Sequence, residues 1–483
     1  MSAKLPSGLQ RHLLTVALLS TLASPAYAGL NCQLVDDTGA PIAVDSTAPG
    51  AEALACGPKA KAEGDGATAI GDETTATGTN TTAIGSWVDL DGDGLVDPDE
   101  ITWALGDNAT AVGAAAQAIG TSSVAIGVRS VAGTDNSVAL GNQSQTQAVT
   151  TTTVDTTVQG DPDNTYTSTT STTSGTGTGS VAIGDQARAN GDNNIAMGTG
   201  ATTELVDTTL DMSTTNGVST LVSTTTVSPA HDAIAIGTYA RANGDGAIVI
   251  GNGAVAEANV AEVLSGFGGD YVYNHVAPAN NATVIGNYAM AQGDNDVVIG
   301  AGALTTGDGV IQLLDPDGNW VTQPVFKDHN STVIGTEAGA ARGWGTAMGY
   351  RATAYGYQST ALGTYTFAIG PGSSAVGGFL DWAAALGDPP VSGPSFRGPY
   401  GRSVAFGVGA QSFGSAAYAW GNYDTAVGPA AATSDHMFSD PSYAGNATDV
   451  KVMQERLQTR AEADGMRRAW SEALARLAAT LEA

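Results

Sequence analysis

Along much of the chain an outward-inward alternation of small and apolar residues runs into a glycine, as in Ser180-Val181-Ala182-Ile183-Gly184. The figure returns fourteen positions later as Ala196-Met197-Gly198, with Ala187, Ala189 and Gly191 at the half-way point. Apolar-Gly steps end at Gly57, Gly71 and Gly85, then at Gly106, Gly113, Gly120, Gly127 and Gly141. Gly184/Gly198, Gly237/Gly251 and Gly286/Gly300 keep the spacing of fourteen, as do Gly335, Gly349 and Gly363. Gly370, Gly377, Gly407, Gly421 and Gly428 close the series. A fixed period of this kind marks a repeat array.

Period two within each unit predicts a short strand, with Val181 and Ile183 on one side and Ser180 and Ala182 on the other. Gly184 and Gly191 predict turns, because glycine takes positive φ without steric cost. Two strands and two turns make one coil. So narrow a coil accommodates an isoleucine against alanines such as Ala187, Ala189, Ala240, Ala242, Ala289 and Ala291, but not opposed aromatics. The isoleucines are therefore expected inside. The second face, with Ala182, Ala196, Ala235, Val249, Val284, Val298 and Val333, is expected to form an outward apolar stripe. A long stripe of that kind marks an interface. One coil alone buries too little to offset its chain entropy, whereas a stack does.

Where the beat skips, four insertions alternate around a turn sequence, at 142–179, 199–232, 256–281 and 303–329. Each predicts a two-stranded hairpin. Isolated hairpins are marginal in water, so pairing within or between chains is expected, and both remain open. Their tips are candidate recognition loops. A fifth insertion, 388–402, is Pro/Gly-rich and reads as irregular loop.

Composition narrows the class. Of 483 residues 64 are glycine and 6% aromatic, which excludes one large aromatic core. The net charge of −29 makes nucleic acid and anionic membrane unfavourable partners. Lys4 and Arg11, the apolar run Leu13 to Leu19 and Ala26-Tyr27-Ala28 read as an export signal over 1–28. The two cysteines, Cys32 and Cys56, are expected to pair in an N-terminal cap, 29–56. Val450, Met453 and Leu457, then Trp470, Leu474, Leu477 and Leu481, predict helix near the C-terminus. It is either a coiled-coil stub or an amphipathic cap on the roll. His231, His275, His329 and His436 are scattered, and no nucleophile, metal-protease or phosphate-loop motif is present, so an enzyme is not expected.

The insertion 86–104 carries chemistry of its own. Asp89, Asp91 and Asp93 occupy positions 1, 3 and 5 of a twelve-residue calcium loop, and Gly94 the sharp turn at 6. Leu95 offers a carbonyl at 7, Asp97 a ligand at 9 and Glu100 bidentate closure at 12. Hard oxygen donors in that number suit Ca²⁺ better than Mg²⁺. The expectation is a structural clip.

With Ser180 to Gly184 and Ala187-Arg188-Ala189-Asn190-Gly191 as its halves, the repeat resembles that of trimeric autotransporter adhesin heads of the YadA type. The resemblance runs from 57 to 428. It implies an all-β fold: a left-handed parallel β-roll solenoid, here with β-hairpin insertions and a short C-terminal α-helical segment. It also implies a homotrimer on a Gram-negative cell surface or outer membrane. The expected organisation is a β-roll head over 57–433, then a linker and helical segment over 434–483. Such families end in a coiled-coil stalk and a β-barrel anchor, and no direct membrane anchor is visible in this chain. The expected function is attachment to host, matrix or other bacterial cells. The alternative is a secreted, non-enzymatic structural rod or biofilm matrix component stabilised by calcium.

Overall fold

The computed structural model describes residues 30–32, 45–159, 166–215, 218–266, 269–306, 310–314, 320–324, 330–379, 402–428, 432–433 and 450–451. The signal, all of the irregular loop 388–402 except Arg402, and nearly all of the C-terminal helical segment lie outside the described residues. Val450 and Lys451, placed by the sequence pattern at the start of that helix, instead form a strand beside Thr425 and Ala426.

The coil 124–137 shows how the repeat folds. Val124–Ile126 is a strand. The chain turns at Gly127, with Arg129 in the left-handed region at φ 56° and Ser130 N–H donating to the Gly127 carbonyl. Val131–Ala132 forms the second strand, and a second turn places Asn136 at φ 53°. The left-handed residue is thus the one two positions after the glycine, and residues as different as Lys59, Glu73 and Tyr239 occupy it. Its N–H donates to a carbonyl one coil earlier, as from Arg129 to Ala114 at 2.9 Å. That bond offsets the ~1–2 kcal/mol a non-glycine residue loses there.

The glycines serve chiefly another purpose. A Cβ on Gly127, at φ 132°, would lie 2.6 Å from the Gly141 carbonyl carbon in the next coil. At Gly64, where φ is unremarkable, it would lie 2.5 Å from the Gly78 carbonyl carbon. Coil-to-coil approach at the corners excludes a side chain in both cases.

The chain divides into two compact units, up to Gly253 and from Ala254. In the first, the three-residue strands form one parallel ladder, from Leu54 through Thr68, Thr82, Thr110, Val124, Val138, Val181, Ile195 and Ile234 to Ile248. The shorter strands form a second parallel ladder from Lys61–Ala62 to Arg241–Ala242. The second unit repeats both ladders, the first from Thr283 to Thr425 and the second from Val255 to Tyr418. This is a parallel β-roll.

Its interior is built from the central residue of each long strand and the second of each short one. Ala55, Ala69, Ala83, Ala111, Ala125 and Ala139 are fully buried, as are Ala62, Ala76, Ala104, Ala118 and Ala132. Serines and threonines in the interior give their hydroxyls to turn carbonyls, as Thr81 to Gly78 at 2.8 Å and Ser180 to Gly191 at 2.7 Å. Those bonds make polar residues acceptable in the core.

The facing expected from the sequence is therefore inverted. Ala182, Ala196, Ala235, Val249, Val284, Val298 and Val333 are wholly buried, while Ile183 and Val181 stand on the outer surface. The two strands of a coil approach too closely for isoleucine to fit between them, so only alanine-sized residues and an occasional valine point inward.

Each of the four insertions is an antiparallel hairpin: Val149–Gln159 with Tyr166–Ser174, Leu205–Thr215 with Val218–Ser228, Ala258–Gly266 with Gly269–Ala277, and Val310–Leu314 with Trp320–Pro324. The first two join edge to edge, Val149–Gln159 against Val218–Ser228, in one four-stranded antiparallel sheet. Pairing within the chain thus supplies both hairpins with a partner.

Candidate functional site

The inverted facing relocates the apolar stripe. On the first ladder, the third residue of every strand points outward, and parallel register aligns these residues in a row. In the first unit the row runs Ile70, Ile84, Val112, Ile126, Leu140, Ile183, Met197, Ile236 and Ile250, with no polar member. Beside it, the first residues supply Val124, Val138, Val181, Ile195, Ile234 and Ile248. Ile84 is 37% exposed and Ile126 41%. The second unit carries its own row, Ile285, Ile299, Ile334, Met348, Leu362, Val376, Phe413 and Val427. The outer face of the second ladder differs: in the first unit it bears Lys61, Thr75, Trp103, Gln117, Val131, Gln145, Arg188, Thr202 and Arg241.

The acidic insertion follows the strand Thr82–Ile84 and returns to Trp103–Ala104. Asp89, Asp91 and Asp93 place carboxylate oxygens within 4.8 Å of one another. Asp89 accepts N–H bonds from Gly92 and Gly94, and Asp93 from Leu95, so the loop curls around the trio. Gly92 and Gly94 hold positive φ where nothing crowds them. Asp97 and Glu100 lie outside the trio. Glu100, 2% exposed, instead accepts the N–H groups of Leu90 at 2.6 Å and Asp97 at 3.0 Å. Desolvation, and then the charges of Asp93, Glu100, Asp91 and Asp99, raise the Asp97 pKa above the ordinary carboxylate value. This donor set fits a divalent, oxygen-seeking cation, whose charge would relieve that repulsion.

Cys32 directly follows the strand Leu30–Asn31, and Cys56 ends the parallel strand Leu54–Cys56 beside it, with Asn31 in register with Ala55. The neighbouring Cys32 thiol, with burial adding, holds the Cys56 pKa above the usual thiol range.

Two buried asparagines were not singled out by motif reasoning. The Asn190 amide bonds both the N–H and the carbonyl of Val149, at 2.8 and 2.9 Å. Asn243 does the same with Val206, at 2.7 and 3.0 Å. Each clamps the base of a hairpin to the following coil. The signal was present: Arg-Ala-Asn-Gly-Asp recurs at 188–192 and 241–245, in each case one coil after a hairpin departs. The Gly-Asp pair of these and other turns is also structural. Asp192 accepts the Thr178 N–H and Asp245 the His231 N–H, fourteen residues back, at 2.7 and 2.8 Å. Part of the chain's acidity thus stitches coils together.

Each unit is a parallel roll with an alanine interior and apolar side chains aligned on one outer ladder, the architecture of a coil-repeat head. The YadA head domain repeat matches residues 48–74, 62–86, 104–128, 118–144, 176–201, 229–254, 277–303 and 345–366. The roll is a YadA-type head, and its coils continue in register beyond the last match as far as Val427. No curated protein matches the chain. Heads of this type belong to exported, surface-exposed trimeric autotransporter adhesins.

Proposed function

We propose that this chain is the head of a homotrimeric adhesin that attaches a Gram-negative bacterium to host, matrix or other bacterial cells. The observation that carries the reading is the unbroken apolar row on the first ladder, Ile70 to Ile250. Rows of that length on an exported protein are covered by a partner. A second copy in the same register offers an identical row at the same spacing. The roll then acts as a stiff support that holds hairpins and loops away from the cell, and no catalytic role is assigned to it.

Calcium has a structural part in the same reading. Asp89, Asp91 and Asp93 bind the ion first, with the Leu95 carbonyl, Asp97 and Glu100 completing the shell as the loop closes. Extracellular sites of this class bind at about 10⁻⁴–10⁻³ M. Cys32 and Cys56 pair as a disulfide that pins the N-terminal strand to the first full coil.

The test is mass in solution by light scattering, with and without calcium, followed by adhesion of cells displaying the chain. A trimer whose display confers attachment supports the head reading. A folded monomer without attachment overturns it and moves the secreted structural component to first place.

A further inference from the structure

The outer face of the second ladder changes character within the second unit. The equivalent positions of the first unit are mostly polar, so the roll itself does not require large apolar groups there. From residue 353 onward five of them are aromatic. Phe367 and Tyr418 stand in register on either side of the buried Val404, and Tyr355, Phe406 and Trp420 each follow the buried alanine of their strand. Phe406 and Trp420 stack with centroids 4.3 Å apart and planes 7° from parallel, and Tyr418 extends the stack at 5.5 Å. Phe406 nevertheless remains 42% exposed and Tyr355 39%.

Arginines sit among these rings. The Arg342 guanidinium lies 4.5 Å from the Tyr355 centroid. Arg402 lies 5.0 Å from Phe367 and 5.4 Å from Tyr365, and has no acidic partner among the described residues. Residues 330–428 hold four arginines and four acids, of which Glu337 and Asp424 are described. Glu337 is bound to Arg351, and Asp424 is buried with its carboxylate on the Gly421 N–H. In a chain of net charge −29 this face sets two arginines, Arg342 and Arg402, among aromatic rings.

We propose that this face binds an acidic glycan, a chain of sugars bearing carboxylate or sulfate. The inference deepens the adhesin reading and rests on it. Ring faces and edges supply dispersion contacts for the apolar C–H faces of sugars. A guanidinium lying over a ring keeps in-plane N–H donors for bidentate contact with an oxyanion. Successive coils repeat these groups at ~4.8 Å, comparable with the length of one sugar ring. The face also lies on the ladder opposite the apolar row, so association through that row leaves it outward. The chain's overall negative charge disfavours a denser polyanion such as nucleic acid.

The experiment is titration of the full exported chain with a heparin hexasaccharide, hexagalacturonate, cellohexaose and a single-stranded oligothymidylate. The acidic sugars are expected to bind, with affinity falling as salt rises. Arg402→Ala and Trp420→Ala are each expected to weaken that binding at least tenfold, and Arg402→Lys less. Gln117→Ala, on the second ladder of the first unit, leaves it unchanged. Circular dichroism and mass confirm that each variant is folded, and Tyr355→Ala replaces Trp420→Ala if that chain misfolds. Absence of acidic-glycan binding, equal binding of cellohexaose, tighter binding of the oligonucleotide, or insensitivity to the folded variants overturns the inference. If displayed chain still attaches to cells in those cases, only the ligand class is wrong; if it neither assembles nor attaches, the adhesin reading fails as well.

Discussion

Replacing three glycines separates the two reasons a roll has for using them. Gly127 combines a positive φ of 132° with a crowded corner, Gly64 has the crowding alone, and Gly372 has φ 65° with nothing within 4 Å of a Cβ. A Cβ on Gly127 or Gly64 meets a carbonyl carbon of the next coil at 2.6 or 2.5 Å. Ordinary contact is about 3.5–4.0 Å, so the coils must part by about 1 Å. At Gly127 that strains the bonds from Gly141 N–H to Ile126 and from Gln143 N–H to Val128, both 2.8 Å. At Gly64 it strains those from Glu63 N–H to Ala76, at 2.7 Å, and from Asn80 N–H to Asp65, at 2.8 Å. Two weakened bonds cost about 2 kcal/mol, and the strained φ adds about 1–2 more at Gly127. At Gly372 the φ cost is largely offset by the smaller entropy of an unfolded alanine. Gly127→Ala is thus expected to lose about 3 kcal/mol, Gly64→Ala about 2 and Gly372→Ala less than about 1. Urea unfolding gives the ranking. Because repeat arrays can open locally, amide exchange at Gly141 and Asn80 reads the affected corner directly. If Gly372→Ala costs as much as Gly64→Ala, backbone conformation rather than coil stacking selects the glycines, and the argument is refuted.

Ile126→Asp places a carboxylate in the middle of the apolar row; burying it unpaired costs about 3–5 kcal/mol, so assembly should weaken at least a hundredfold by light scattering, while Gln117→Asp leaves it intact. Calcium should raise amide protection in residues 89–100, and Asp89→Asn with Asp93→Asn should abolish that response; protection unchanged by calcium in the unsubstituted chain counts against the site. Cys32→Ser should lower the stability of the N-terminal coils by about 3 kcal/mol under oxidising conditions and by much less under reduction; equal loss in both would mean that packing rather than a disulfide is responsible.

Much of this protein was legible in its sequence because its interactions are local and periodic. Spacing of fourteen gives the coil, its glycines the corners, and the interruptions the hairpins, since each depends on neighbours along the chain. The turn that gathers Asp89, Asp91 and Asp93 is local for the same reason. What periodicity of two cannot say is which side of a strand is inside. That depends on the distance between the two strands of a coil, which admits Ala182 and Val249 but turns Ile183 outward. The tertiary structure alone also decided that the first two hairpins share one sheet, because Thr153 and Thr225 meet across a long loop closure. Asn190 and Asn243 acquire their role only when a departing hairpin is brought against the next coil. The aromatic and arginine face likewise exists only in three dimensions, because stacking brings Phe367, Arg402 and Trp420 to one surface from separate coils.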